Sequence, residues 1–428
     1  MALNQPPASP ALSASTVLFI VADAFRYDYF TPPNTPTMWR LAESGLYVRR
    51  LRPNFGFCER AETFTGTRPD ANGFFTALTY DETNSEFLSF KKDIWLLSLF
   101  DWRAEFMRRY IRRFYRDWFK KVRRVKQPVY EIPLKILPRI ALTEDLRDLH
   151  QPNWSNIETI FDVMRESGKT FYYDTFASLA MPMGGDDDRV NQICRAFQET
   201  PRDFYLLYIG EGDGTGHDYG PESVQTAAMT RRVDKRIKIV SDAFFEAFPD
   251  GRILIIGDHG MLEVAGIFDA QSKILRTGRK AGLRAGRDFD YFLDSTLVRL
   301  WFRTEKSGDI FRDLFNTDAA FCNEGHVMTC EEAARLHVPP PNGRYGDLIW
   351  IAHPGALIFP DFFHFRKICR GMHGYETHIP AQQGFALAVG RDIEQAEIQE
   401  AELIDICPTI CSLLGIRAPK QNAGKSLL

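Results

Sequence analysis

Four short stretches of the 428-residue chain carry side chains suited to holding a cation. In Gly210-Glu-Gly-Asp-Gly-Thr-Gly-His-Asp-Tyr-Gly-Pro221, Asp213 and His217 stand four residues apart. The surrounding glycines let the backbone turn tightly, so that a carboxylate and an imidazole can face one ion. No G-x-G-x-x-G register fits this stretch and no helix is expected to open directly from the turn, which excludes a dinucleotide fingerprint. Asp258 and His259 supply a second acid and imidazole; the dipeptide is a weak signal alone and gains meaning from the apolar run before it. Asp23 follows another apolar run, and His373 sits among glycines in Gly371-Met-His-Gly-Tyr375, where an imidazole is readily presented. His150, His326, His337, His353, His364 and His378 have no such setting and read as structural or surface groups.

The elements that would position these groups are legible in the apolar pattern. Val17–Val21 leads to Asp23, Phe204–Ile209 to Asp213, and Ile253–Ile256 to Asp258, each a short β-branched or aromatic run ending near an acid. Helical stretches at Pro36–Ser44 and Ser223–Phe248 alternate with them, which predicts an α/β fold with a mostly parallel central sheet flanked by helices. Ligands in such sheets bind beyond the carboxyl ends of the strands, so three acids delivered there converge. The expected core is discontinuous, at 15–80, 155–267 and 346–428, with a loose Pro/Ala/Ser-rich tail over 1–14.

Two segments interrupt that core. Residues 81–154 contain a basic, aromatic stretch from Leu99 to Val125, in which Leu99, Trp102, Phe106, Tyr110, Phe114, Trp118 and Val122 recur at helical spacing. Eleven Lys or Arg against two acids lie between Trp102 and Lys126. Such a helix either docks its stripe on its own core or meets an anionic membrane or phosphate-rich ligand. Residues 268–345 hold Lys273, Arg276, Arg279, Lys280, Arg284 and Arg287 with Gly282 and Gly286, and read as a cap: a mobile basic loop over the site, or a plain solvated loop.

Composition bounds the remaining choices. A formal net charge of −3 removes any global case for nucleic-acid binding. Seven cysteines without framework spacing argue against a disulfide scaffold and for a reducing, cytoplasmic setting, with peripheral membrane contact through 99–125. The first apolar run is too short for a signal peptide or a membrane span.

Taken in order, the motifs resemble the alkaline phosphatase superfamily, and within it the type I phosphodiesterase and nucleotide pyrophosphatase branch. Asp23-Ala-Phe-Arg-Tyr-Asp-Tyr29 is similar to the branch's first metal motif, an Asp followed by Gly-Phe-Arg and an acid. Thr35-Pro36 and Leu41-Ala-Glu-Ser-Gly45 resemble the helix leading to its nucleophile loop, and Thr65-Gly66-Thr-Arg-Pro69-Asp-Ala-Asn-Gly73 the stretch after it. Asp213-Gly-Thr-Gly-His217-Asp-Tyr-Gly-Pro221, Arg232-Val-Asp234, Asp258-His-Gly-Met261, His373-Gly-Tyr375 and the Ile404–Ile416 helix follow in the branch's order.

The resemblance implies an alkaline phosphatase-like fold and two divalent ions, Zn²⁺ first and Mn²⁺ as the alternative. Asp213, His217 and His373 would hold one ion, and Asp23, Asp258 and His259 the other. The implied activity is hydrolysis of a phosphoester, a phosphodiester or pyrophosphate first, the substrate being a small molecule or one linked to lipid or glycan. Alternatives are a phosphomonoesterase or phosphotransferase of the same superfamily, or a non-catalytic metal-stabilised binding protein. The nucleophile loop departs from the branch: counted back from Thr65-Gly66, the attacking Thr falls on Gly56. Cys58 is the expected attacking group if the loop is shortened, and otherwise a metal ligand or a buried thiol. Glu59 and Arg60 beside it are expected to contact substrate, or Glu59 to orient a ligand.

Overall fold

Six consecutive apolar residues, Val17–Ala22 (β1), are buried on both faces, as a central strand of a parallel sheet requires. In the computed structural model, which describes residues 16–98, 132–144, 148–174, 185–339, 343–364 and 367–428, β1 is the axis of the molecule. The other strands of its sheet are β2 (Leu46–Arg52), β3 (Phe171–Tyr173), β4 (Phe204–Ile209) and β5 (Arg252–Gly257), joined later in the chain by two more. A second sheet is built from β6 (Phe289–Leu293), β7 (Leu297–Phe302), β8 (Gly325–Val327) and β9 (Leu348–Ala352). The chain then returns to the first sheet with β10 (Gly384–Val389) and β11 (Ala396–Glu402), giving the order β11-β2-β10-β5-β1-β4-β3. All neighbours are parallel except around β10, which runs antiparallel to both β5 and β2.

Numbered in chain order, the helices that matter below are α1 (Pro36–Ala42), α2 (Glu59–Thr65), α3 (Glu211–Tyr219), α4 (Val224–Ala247), α5 (Ala270–Lys280) and α6 (Ile406–Leu414). Alternate residues of β1 feed two layers of them. Val17, Phe19 and Val21 pack with α2 and α6, whereas Leu18, Ile20 and Ala22 pack with α4. Each fully buried Leu, Ile, Val or Phe in these layers contributes about 1.5–3 kcal/mol. Ser223 caps α4 by accepting from the Thr226 amide at 3.1 Å, and buried Asp234 on α4 accepts from the first-turn amides of Thr37 and Met38 at 3.1 and 2.9 Å. That contact fixes α1, and with it the connection from β1 to β2.

The sheet is the α/β architecture expected from the apolar runs. One expectation about the elements needs correction. Residues 268–345 are not a basic loop: Asp269 caps α5, whose last turn carries Arg279 and Lys280, and the chain continues into the second sheet, of order β6-β7-β9-β8. That sheet extends past 345 through β9 and owns a separate core of Phe, Trp, Ile and Leu side chains. The basic stretch 99–125 lies outside the described residues. Among the described residues, no helix is long and apolar enough to cross a membrane.

Candidate functional site

Register places the acids together. Ala22 at the end of β1 pairs with Ile209 of β4 on one side and Gly257 of β5 on the other, so Asp23, the 210–217 segment and Asp258 leave the sheet at one level. The Gly-rich stretch does open directly into a helix, against expectation: α3 begins at Glu211, and its i, i+4 geometry brings Asp213 Oδ1 to 3.0 Å from His217 Nε2. The glycines serve close packing. A Cβ on Gly212 would meet the Asp23 carbonyl oxygen at 2.1 Å, and one on Gly216 the Met261 sulfur at 2.4 Å. His373 arrives from the other direction, after a two-residue strand, Gly371–Met372, antiparallel to Leu262–Glu263.

The six expected ligands form one cluster. His259 Nε2 lies 3.1 Å from Asp23 Oδ1, and His373 Nε2 lies 3.6 Å from Asp213 Oδ1. The His259 and His373 rings stack at 4.2 Å. Backbone carbonyls orient two of the imidazoles: His217 Nδ1 donates to Gly371 O at 2.9 Å and His259 Nδ1 to Gly260 O at 3.0 Å, which leaves each Nε2 facing a carboxylate. Asp258 Oδ1 accepts from the amides of Ala24 and His259 at 3.1 and 3.0 Å. Tyr208, at the end of β4, donates its hydroxyl to Asp23 Oδ2.

Several features of this cluster suit a cation. His373 Nδ1 is buried without a hydrogen-bond partner. Asp213–His217–His373 and Asp23–Asp213–His259 each bring their ligand atoms within 4.8 Å of one another. Burial, and then the charge of Asp213, push the Asp23 carboxyl up; burial likewise pushes Asp258 up to about 8, with Asp23 and Glu59 adding to it. Asp213 goes the other way: despite burial, the imidazoles of His217, His373 and His259 hold its carboxyl well below the usual range. Carboxylates crowded in this way, beside imidazole nitrogens, form a donor set for divalent ions.

Around the cluster lies a cavity of about 400 Å³, the size of a small-ligand site. Glu59 and Arg60 line it. Arg60, however, is paired with Glu144 at 2.7 Å, and Glu144 also accepts from the Ala61 amide at 3.1 Å. Cys58 corrects the reading of the attacking group. Its side chain is 2 % exposed and packs in the core beneath the sheet with Ala61 and Phe64, 3.9 Å from Thr143 Oγ1, and it is not part of the cavity wall. Burial, then Glu144 and Glu59, push its thiol well above the ordinary range, the opposite of an activated thiolate. Gly56 offers no substitute: it has φ +131°, and a Cβ there would meet the Phe75 carbonyl oxygen at 2.2 Å.

The rest of the wall was not marked in the sequence. Asp294, Ser295, Phe363, His364 and Met372 face the cluster from the second-sheet side, and Phe57 packs edge-on to His373 at 5.4 Å. Ser295 donates to Asp361 Oδ2 at 2.7 Å, and the same oxygen lies 3.2 Å from His364 Nδ1. Although burial opposes it, Asp361 and then Cys369 raise His364 to about 9, which favours the protonated form of an imidazole that the sequence marks only as structural or surface. Only tertiary contact joins 295 to 361–364; no local spacing encodes it.

A family model described as Type I phosphodiesterase / nucleotide pyrophosphatase matches residues 17–376. Human ectonucleotide pyrophosphatase/phosphodiesterase family member 7 is 26% identical over 243 residues, covering 55% of this chain and 50% of the relative. A venom phosphodiesterase of Crotalus durissus collilineatus is 25% identical over 241 residues, covering 52% of this chain and 26% of the relative. The chain thus spans about half the length of the first of these and about a quarter of the second. Among solved structures, murine ectonucleotide pyrophosphatase/phosphodiesterase 5 superposes with a TM-score of 0.65 at 18% identity, over 94% of this chain and 96% of that one. The human protein of that name gives 0.66 at 17%, with the same coverage. The murine protein is also known as an inactive variant in complex with AMP.

Proposed function

The chain belongs to the type I phosphodiesterase/nucleotide pyrophosphatase family, and from that membership we propose that it is a two-metal hydrolase of phosphodiesters or pyrophosphates. The observation that carries the reading is the convergence of Asp23, Asp213, Asp258, His217, His259 and His373 at the carboxyl end of one sheet. Asp213, His217 and His373 would hold one ion and Asp23, Asp258 and His259 the other, with Zn²⁺ suited to the mixed nitrogen and oxygen donors. When bound, such a pair neutralises charge developing on a phosphoryl group and activates the attacking oxygen.

The chain's own residues supply the remainder. Gly371 O and Gly260 O hold two imidazoles in the tautomer that presents Nε2. Phe57, Phe363 and Met372 give the cavity apolar walls that exclude water, and His364, which Asp361 biases towards its protonated form, would offer positive charge to an anionic ester. The AMP complex of the murine protein supports a nucleotide-like or similarly small phosphate ester as substrate.

Turnover of a generic aryl phosphodiester, compared with an aryl phosphomonoester, with and without Zn²⁺, tests the proposal. Zn²⁺-dependent hydrolysis of the diester is the expected result. Preference for the monoester would assign a phosphatase instead. A second reading, a metal-stabilised binding protein without turnover, is favoured by the closed Gly56 position, and hydrolysis of neither ester by the metal-loaded protein would establish it.

A further inference from the structure

Glu59 is the first residue of α2 and lines the cavity. Its ligand oxygen groups with one imidazole from each proposed ion position, His259 and His373, all within 4.8 Å of one another. Arg60, the neighbouring cation, is engaged with Glu144, and among the described residues the Glu59 carboxylate makes no hydrogen bond to another side chain. A carboxylate in this wall, held by its own backbone amide and, among the described residues, by no other side-chain hydrogen bond, gains from a cation placed against it. Resting on the two-metal reading above, we propose that Glu59 is a seventh metal ligand, shared between the two ions.

Charge balance supports the assignment. Asp23, Asp213 and Asp258 leave two divalent ions with one uncompensated positive charge, and Glu59 makes the count neutral, which is the state a buried cluster favours. The assignment also gives the segment after Gly56 a role that needs neither a side chain at Gly56 nor the buried thiol of Cys58.

Calorimetric titration of the metal-free full-length chain with Zn²⁺, alongside Mn²⁺ electron paramagnetic resonance of the loaded protein, tests this directly. The wild-type chain is expected to take up two ions and, with Mn²⁺, to give a spectrum of two exchange-coupled ions. Glu59→Gln, of equal size and without the charge, is expected to weaken uptake at least tenfold and to abolish the coupling, and Glu59→Asp to fall between. Circular dichroism and thermal melting of the metal-free forms show whether each variant is folded; if Glu59→Gln is not, the Glu59→Asp titration decides by the same criterion. Two ions bound by a folded variant with wild-type affinity and coupling would overturn the role of Glu59 while leaving the two-metal reading intact. A wild-type chain that takes up no ion would overturn both.

Discussion

Ala24 has φ +52°, a left-handed conformation that an L-residue with a side chain adopts at a cost of about 1–2 kcal/mol. Its amide donates to Asp258, so the strain serves to seat one acid against another. Ala24→Gly is expected to raise stability by roughly 0.5–1 kcal/mol in chemical denaturation, less than the full strain because glycine also loosens the unfolded chain. A loss of stability would show that the Ala24 methyl is itself a packing contact. Removing a proposed metal ligand acts differently: on the two-metal proposal, Asp258→Ala or His217→Ala should abolish turnover and lower metal content with the circular dichroism spectrum retained, and two ions measured in Asp258→Ala by elemental analysis would refute the ligand set. Buried Glu62 carries a pH prediction. Burial pushes it from 4.5 up to about 8, even though Asn54 donates two bonds to it. The folded state therefore holds this proton more tightly than the unfolded one, and stability falls as pH rises from 4.5 to about 8. Glu62→Gln should gain on the wild type by about 1.4 kcal/mol for each pH unit crossed within that window, a few kcal/mol in all, and then hold a constant lead. Parallel denaturation curves at pH 5 and pH 9 check it.

At the level of elements, the second sheet is tied to the cavity by one buried ion pair. Arg299 on β7 is fully buried and donates to Asp294 at 2.8 Å and to the Leu78 carbonyl at 2.9 Å, while its guanidinium lies 4.7 Å from the Phe292 ring. Arg299→Met should cost about 3–5 kcal/mol, because it strands the Asp294 carboxylate; adding Asp294→Asn should recover most of the loss. Denaturant melts of the single and double variants measure the difference. The sequence shows why some elements were readable and others not. β1, β4 and β5 are buried on both faces, so they appear as uninterrupted apolar runs, and the acid after each run is the strand's exit. The helix α3 was hidden because its glycines lower helix propensity, and contacts with Asp23 and Met261 override that preference. The second sheet was hidden because α5 presents its cations outward, which reads as a loop when the short strands that follow go unrecognised. Cys58 was misplaced because counting along a loop says nothing about which way a side chain turns.

For the whole molecule, the cavity is assembled from both sheets, so ions bound there report on the entire fold. A free ion concentration about a thousandfold above Kd should stabilise the chain by about 4 kcal/mol per site, and chelation should remove that increment, as thermal melts with and without Zn²⁺ will show. The basic stretch 99–125 is a separate matter of charge. Eleven cations against two acids between Trp102 and Lys126 predict co-sedimentation with anionic vesicles that weakens as salt rises. No binding at low salt would leave the aromatic stripe to its own core.

The antiparallel strand β10 has a bearing on how the molecule is made. It alone joins β2 to β5, and it lies some three hundred residues after β2 in the chain. At synthesis rates of about 5–20 residues per second, β2 waits roughly 15–65 seconds on the ribosome for the partner that connects it to the centre of the sheet. During that interval the half of the sheet centred on β1 can pair, while β2, with Leu46, Val48 and Leu51 on one face, has neither β10 nor β11 to cover its edges. Nascent chains halted before residue 384 should therefore be the species that aggregate or recruit chaperones, and those extended past 402 should not.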